Sequence, residues 1–188
     1  EVLHRSTSYC CSKKSLSDMT LPSYFSLPAE ADALKVREAA EELYRTCQFN
    51  CSEAVIKAVR DAFCPEVPDF VIAMSSGFPV GMGGAGCTCG AVAGGQMALG
   101  LIFGREKSLQ FVQSGHTMRL ARELHDRFRE MNQTLCCRLH TKDMQIGSPE
   151  HAAQCTRLTG DAAEIVAEII IREISSLDLL NMPHSKST

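Results

Sequence analysis

Between Asp69 and Arg105 the chain runs for thirty-five residues, Phe70 to Gly104, without one charged side chain, and this stretch holds ten of the thirteen glycines. A segment with so little to offer water has to be buried, so the remainder must supply its cover. Its length would satisfy a membrane span of about 20 apolar residues. Against that, Ser75, Ser76, Thr88 and Gln96 dilute its hydrophobicity, and Pro79 with Gly81, Gly83, Gly84 and Gly86 breaks helical continuity through its first half. No membrane span is expected. Gly81-x-Gly83-x-x-Gly86 also spells the dinucleotide fingerprint, which has mechanical meaning only between a strand and a helix. No strand of alternating or β-branched residues precedes it, so the match is read as accidental. What remains is a glycine-rich loop followed by a helix from Thr88 to Phe103. Thr88 is its expected N-cap, which puts Cys89 at the first helical position. Gly90 and Gly94, four apart on one face, let another backbone come close.

At 188 residues the chain suits one domain with a core of its own. The net charge of -3 and the lack of clustered Lys and Arg disfavour nucleic-acid binding. The composition is unusual in its ten cysteines: Cys10, Cys11, Cys47, Cys51, Cys64, Cys87, Cys89, Cys136, Cys137 and Cys155. An even count invites a disulfide framework, but such frameworks belong mainly to small secreted domains that cannot build a core. About half of the ten are read as small buried hydrophobes. The chain opens at Glu1 without a methionine, and its first residues lack the apolar core of a signal peptide. The compartment stays open, the cytoplasm being favoured and the periplasm fitting if a leader has been removed.

Residues 1–28 are serine-rich, contain Pro22 and Pro28 and show no sustained period, so they read as an arm. A helical domain is expected over 29–176 and a frayed tail over 177–188. Its first helix runs from Ala29 to about Thr46, with Val36, Ala40, Leu43 and Cys47 at helical spacing. Asn50-Cys51-Ser52-Glu53 then reads as a capping box that opens a second helix and puts Cys51 at its N-terminus. Unpaired N–H groups and the positive end of the helix dipole favour a thiolate there, as they do at Cys89, and the thiolate is both nucleophile and metal ligand. One or two turns follow over 69–74. A long amphipathic helix spans Arg105 to Met131, with His116 on its apolar side read as a core histidine. Ser148-Pro149-Glu150 starts the last helix, which carries Cys155 and a point of irregularity at Thr159-Gly160. No convincing strand appears, so the fold is expected to be all-α, a bundle of about five helices around the central Gly/Ala-rich one.

Four segments in order carry a resemblance: Asn50-Cys51-Ser52-Glu53-Ala54-Val55, then Cys89-Gly90-Ala91-Val92-Ala93-Gly94, then Cys137-Arg138-Leu139, then Cys155 before an Ala-Glu-Ile-Val helix. Over about residues 35–172 the chain resembles the C_GCAxxG_C_C family of bacterial and archaeal proteins described as redox-active. The resemblance implies that Cys51, Cys89, Cys137 and Cys155 are the family cysteines and that Gly90, Ala91 and Gly94 complete the central motif at the cofactor. The chain departs from the family name in writing Cys-Gly-Ala for Gly-Cys-Ala. It also adds Cys87 and Cys136 beside two of the four positions. Some relatives carry c-type haem segments, but Cys136-Cys137-Arg138-Leu139-His140 has the wrong order for covalent haem.

Three functions then compete. The four thiolates, converging from separate helix ends, could hold an iron-sulfur cluster for electron transfer. They would also suit a structural zinc, although the paired C-x-x-C knuckles typical of zinc are missing. Alternatively Cys51 or Cys89 attacks a disulfide and Cys137 or Cys155 resolves it. The third reading is a helical docking module whose cysteines fill the core. A redox partner protein and a homodimer are the expected associations.

Overall fold

The computed structural model describes residues 21–26, 28 and 31–181, with side chains described through Leu177. Within them the fold is all-helical: α1 Ala33–Arg45, α2 Cys51–Phe63, α3 Phe70–Ala73, α4 Pro79–Met82, α5 Gly90–Phe103, α6 Phe111–Asn132, α7 Cys137–His140 and α8 Pro149–Asn181. Five of these are long and three are single turns. Among the described residues there is no strand, only one isolated antiparallel bridge between Thr88 and Cys136.

The uncharged α5 lies at the centre. None of its fourteen residues is exposed, and α2, α6 and α8 pack around it. With no polar face to turn outward, the helix can be stable only when its whole circumference is covered. The glycines on it set the approach: a Cβ on Gly94 would collide with the Ser52 carbonyl oxygen of α2. The core continues through Phe63, Leu99, Phe103, Leu124, Phe128 and Ile169, all fully buried. The 33-residue α8, about 50 Å long at 1.5 Å per residue, packs on α1, α2, α5 and α6 and so ties the bundle together. No helix among the described residues is long and apolar enough to cross a membrane.

Several boundaries differ from the sequence expectation. The first helix starts at Ala33, because Asp32 caps it by accepting the Leu34 N–H at 2.9 Å. Helix α6 starts at Phe111 and not Arg105: the Gln110 side chain accepts the N–H groups of Glu106 (3.0 Å) and Lys107 (2.8 Å), closing a turn that holds Leu109 at φ 66°. Helix α8 runs unbroken through Thr159-Gly160 and past Ser175 to Asn181. Gly160 is a packing device there, since a Cβ on it would strike the Glu41 carboxylate of α1. The arm expected over 1–28 lies outside the described residues up to position 20. Its described end is docked, Phe25 stacking on Phe63 and the Tyr24 hydroxyl donating to the Leu101 carbonyl at 2.9 Å. His116 is a core histidine as expected, 5% exposed, with Nε2 3.2 Å from Glu173.

Candidate redox site

Three helix starts meet at one end of the bundle. Cys51 is the first residue of α2, Cys137 the first of α7, and Cys89 immediately precedes α5 as its N-cap. Cys155 comes from the second turn of α8. All four line one cavity of about 40 Å³, together with Tyr44, His140 and His151.

Local rules place Cys51. The capping box forms as read: the Asn50 N–H donates to the Glu53 carboxylate at 2.8 Å, and the Asn50 side chain accepts the Glu53 N–H. Cys89 is set instead by pairing between distant segments. Its N–H donates to the Leu135 carbonyl at 2.7 Å, and the Cys137 N–H donates to the Cys87 carbonyl at 2.6 Å. This ladder holds Thr88 extended, so Thr88 is not the N-cap and Cys89 takes that position with helix α5 beginning at Gly90.

The loop before α5 wraps the same thiols. Val80 lies at φ 55°, ψ 34°, and Gly81, Met82, Gly83, Gly84 and Gly86 also have positive φ. A β-branched residue there costs about 1–3 kcal/mol. The strained residue is the one whose N–H faces the Cys51 sulfur. Gly81 and Gly90 leave the room these cysteines occupy: a Cβ on Gly81 would come 2.6 Å from the Cys137 Cβ, and one on Gly90 2.5 Å from the Cys51 Sγ. Gly90 and Ala91 border the cavity, whereas Gly94 serves the crossing of α5 with α2.

The electrostatics reverse one expectation. Burial pushes the Cys51 thiol up to about 11, although the Val80 and Ser52 amides favour its thiolate. Burial pushes Cys89 up to about 12 against the pull of the Ala91 and Val92 amides. Cys137 and Cys155 are also raised, first by burial; a hydrogen bond with Tyr44 acts the other way on Cys155. Removing a thiolate from water thus outweighs the few N–H groups at a helix end. As free thiols all four stay protonated at neutral pH.

The other cysteines stand apart. Cys64 is buried under the end of α2, Cys47 borders an outer groove, Cys87 is exposed, and Cys136 Sγ donates to the Gly86 carbonyl at 3.3 Å. None of them lines the cavity. Cys10 and Cys11 lie outside the described residues. Among the described residues no three His, Cys, Asp or Glu side chains are gathered closely enough around one point to hold a single metal ion. Sequence reasoning missed Tyr44, His140 and His151. His151 and Cys155, four apart on one helix, and Cys137 and His140, three apart, were legible pairs; Tyr44 carried no local signal.

A family model described as "Putative redox-active protein (C_GCAxxG_C_C)" matches residues 49–169, more than half of the chain and a span that includes all four cysteines. No curated protein and no solved structure matches it.

Proposed function

The chain belongs to the C_GCAxxG_C_C family, described as redox-active, and from that premise we propose that Cys51, Cys89, Cys137 and Cys155 together hold an iron-sulfur cluster used in electron transfer. The observation that carries this reading is that these four thiols, brought from four separate segments, border one small cavity while four other described cysteines do not.

The donor set suits such a cluster. A single zinc ion needs four ligands at about 2.0–2.3 Å from one point. A cluster spreads its thiolates over several irons and tolerates a wider set. When bound, it supplies a store for single electrons. The chain does the rest. Backbone amides of Val80, Ser52, Ala91 and Val92 face sulfur and stabilise the charge it carries. The thiols must lose protons that burial makes them hold, so loading releases protons and weakens as pH falls. The thiol-disulfide reading needs an attacking thiolate near neutral pH, and the raised thiols work against it.

The test is purification without oxygen followed by iron and sulfide analysis and a visible spectrum. Serine at each of the four positions should lower bound iron or shift the spectrum, and Cys64→Ser should do neither. Protein without iron and sulfide whose four thiols pair as disulfides would establish thiol exchange instead. Inert thiols would leave only a docking module.

A further inference from the structure

Two of the four family thiols have backbone amides turned toward the sulfur: those of Val80 and Ser52 at Cys51, and those of Ala91 and Val92 at Cys89. Both sulfurs lie at helix starts, where N–H groups are free to serve them. Cys155 has no such position. It stands in the second turn of α8, past the N–H groups that a helix start leaves unpaired. Side chains serve it instead. His151, one turn earlier on the same face of the helix, is 9% exposed and brings its Nε2 to 3.7 Å from Cys155 Sγ. Tyr44, from α1, is hydrogen-bonded to the same sulfur. The direction of the histidine contact is fixed from the other side of the ring. The Gly147 N–H meets Nδ1 at 3.4 Å, and an amide N–H can only donate, so Nδ1 holds the lone pair and the ring proton is on Nε2. Gly147 reaches it from a turn at φ 86°, a backbone position that glycine takes without strain. The Ser148 hydroxyl accepts the His151 backbone N–H at 3.2 Å and anchors the same residue. The ring is thus set to donate to sulfur, from the wall of the cavity that all four thiols share.

Resting on the reading that the four thiols hold an iron-sulfur cluster, we infer that His151 is a positioning residue for it, whose Nε2–H donates to the Cys155 sulfur and raises the cluster's reduction potential. The ligand set stays at four thiolates. Reduction adds negative charge that the thiolates share, and a donor aimed at sulfur stabilises the reduced form more than the oxidised one. The histidine does for Cys155 what helix-start amides do for Cys51 and Cys89, and so bears on which partners can reduce the protein.

Two measurements on the full chain test this. In metal-free protein labelled with ¹⁵N-histidine, NMR should show the neutral His151 ring protonated at Nε2, its signals identified by their loss in His151→Gln or His151→Leu. A proton on Nδ1 overturns the inference, whatever the variants do on loading. In protein loaded with iron and sulfide without oxygen, a redox titration followed by the visible spectrum reads the potential. His151→Leu, which has no donor, should keep the iron content and shift the potential downward. His151→Gln, whose amide can reach the place of Nε2, should bring it back toward the parent value. An unchanged potential in His151→Leu overturns the inference, and so does a downward shift that His151→Gln shares in full. A His151→Leu chain that takes up no iron points to ligation instead of donation and overturns it as well. Each of these results leaves the thiol-held cluster in place, whereas an unaltered chain that takes up no iron overturns both readings.

Discussion

A single methyl group probes how tightly the cysteine cavity is built. In Gly90→Ala the new Cβ would lie 2.5 Å from Cys51 Sγ and 3.0 Å from the Phe78 carbonyl oxygen, with the backbone of Pro79 close behind. Overpacking of this kind costs about 1–3 kcal/mol. Urea denaturation should register that loss, and iron loading should fall with it. Gly100 on the same helix faces open space, so Gly100→Ala should raise stability by about 0.5–1 kcal/mol. A Gly90→Ala chain as stable as its parent would mean that the wall has slack. The thiols make a second prediction. Cys51 at about 11 and Cys89 at about 12 are raised by burial above the ordinary cysteine value of about 8.5. From about 8.5 upward the unfolded chain has released protons that the folded chain still binds. Their contribution is therefore full below that pH and is lost as pH rises through 11 and 12. Metal-free protein should need less urea to unfold at pH 10 than at pH 7, and no decline over that range would contradict the burial of these sulfurs.

Between elements, the joint of α1 with α8 turns on Arg37, which pairs with Glu41 (2.8 Å) on its own helix and with Asp161 (2.9 Å) and Glu164 (2.6 Å) on α8. Asp161 has a side chain only 4% exposed and a second partner, Arg157, at 2.7 Å. Arg37→Met removes one of two guanidinium groups from a buried carboxylate, and should destabilise the chain by about 1–3 kcal/mol. With Arg157→Met added, the loss should exceed the sum of the two single losses, as a double-mutant cycle would measure. The same scale shows how far local pattern reaches. Asn50 with Glu53 marked the start of α2, because both halves of a capping box lie within four residues. The start of α5 was misplaced by one residue, because the 86–89 segment is held by hydrogen bonds to 135–138, some fifty positions away. Gly160 read as an interruption for the same reason: its purpose lies in Glu41 on another helix.

At the scale of the molecule, the site joins the starts of α2, α5 and α7 to the second turn of α8. A group bound to all four would hold the folded state together and leave the unfolded chain unaided. Loading with iron and sulfide should therefore raise Tm, and anaerobic removal with a chelator should return it to the metal-free value. Scanning calorimetry on both forms checks this, and an unchanged Tm would show that the thiols do not act together. The sequence by itself determined the helical class, the family and the burial of the Gly90–Phe103 part of the uncharged stretch, because periodicity, charge and motif are written in neighbouring residues; the part before it, expected to be buried as well, leaves Phe70, Met74, Val80 and Met82 exposed. Tertiary structure alone decided which thiols share a cavity, that burial outweighs the helix ends in raising them, and that Tyr44, His140 and His151 border them. Solvation and hydrogen-bond partnership depend on atoms brought together from distant parts of the chain, and no local pattern records them.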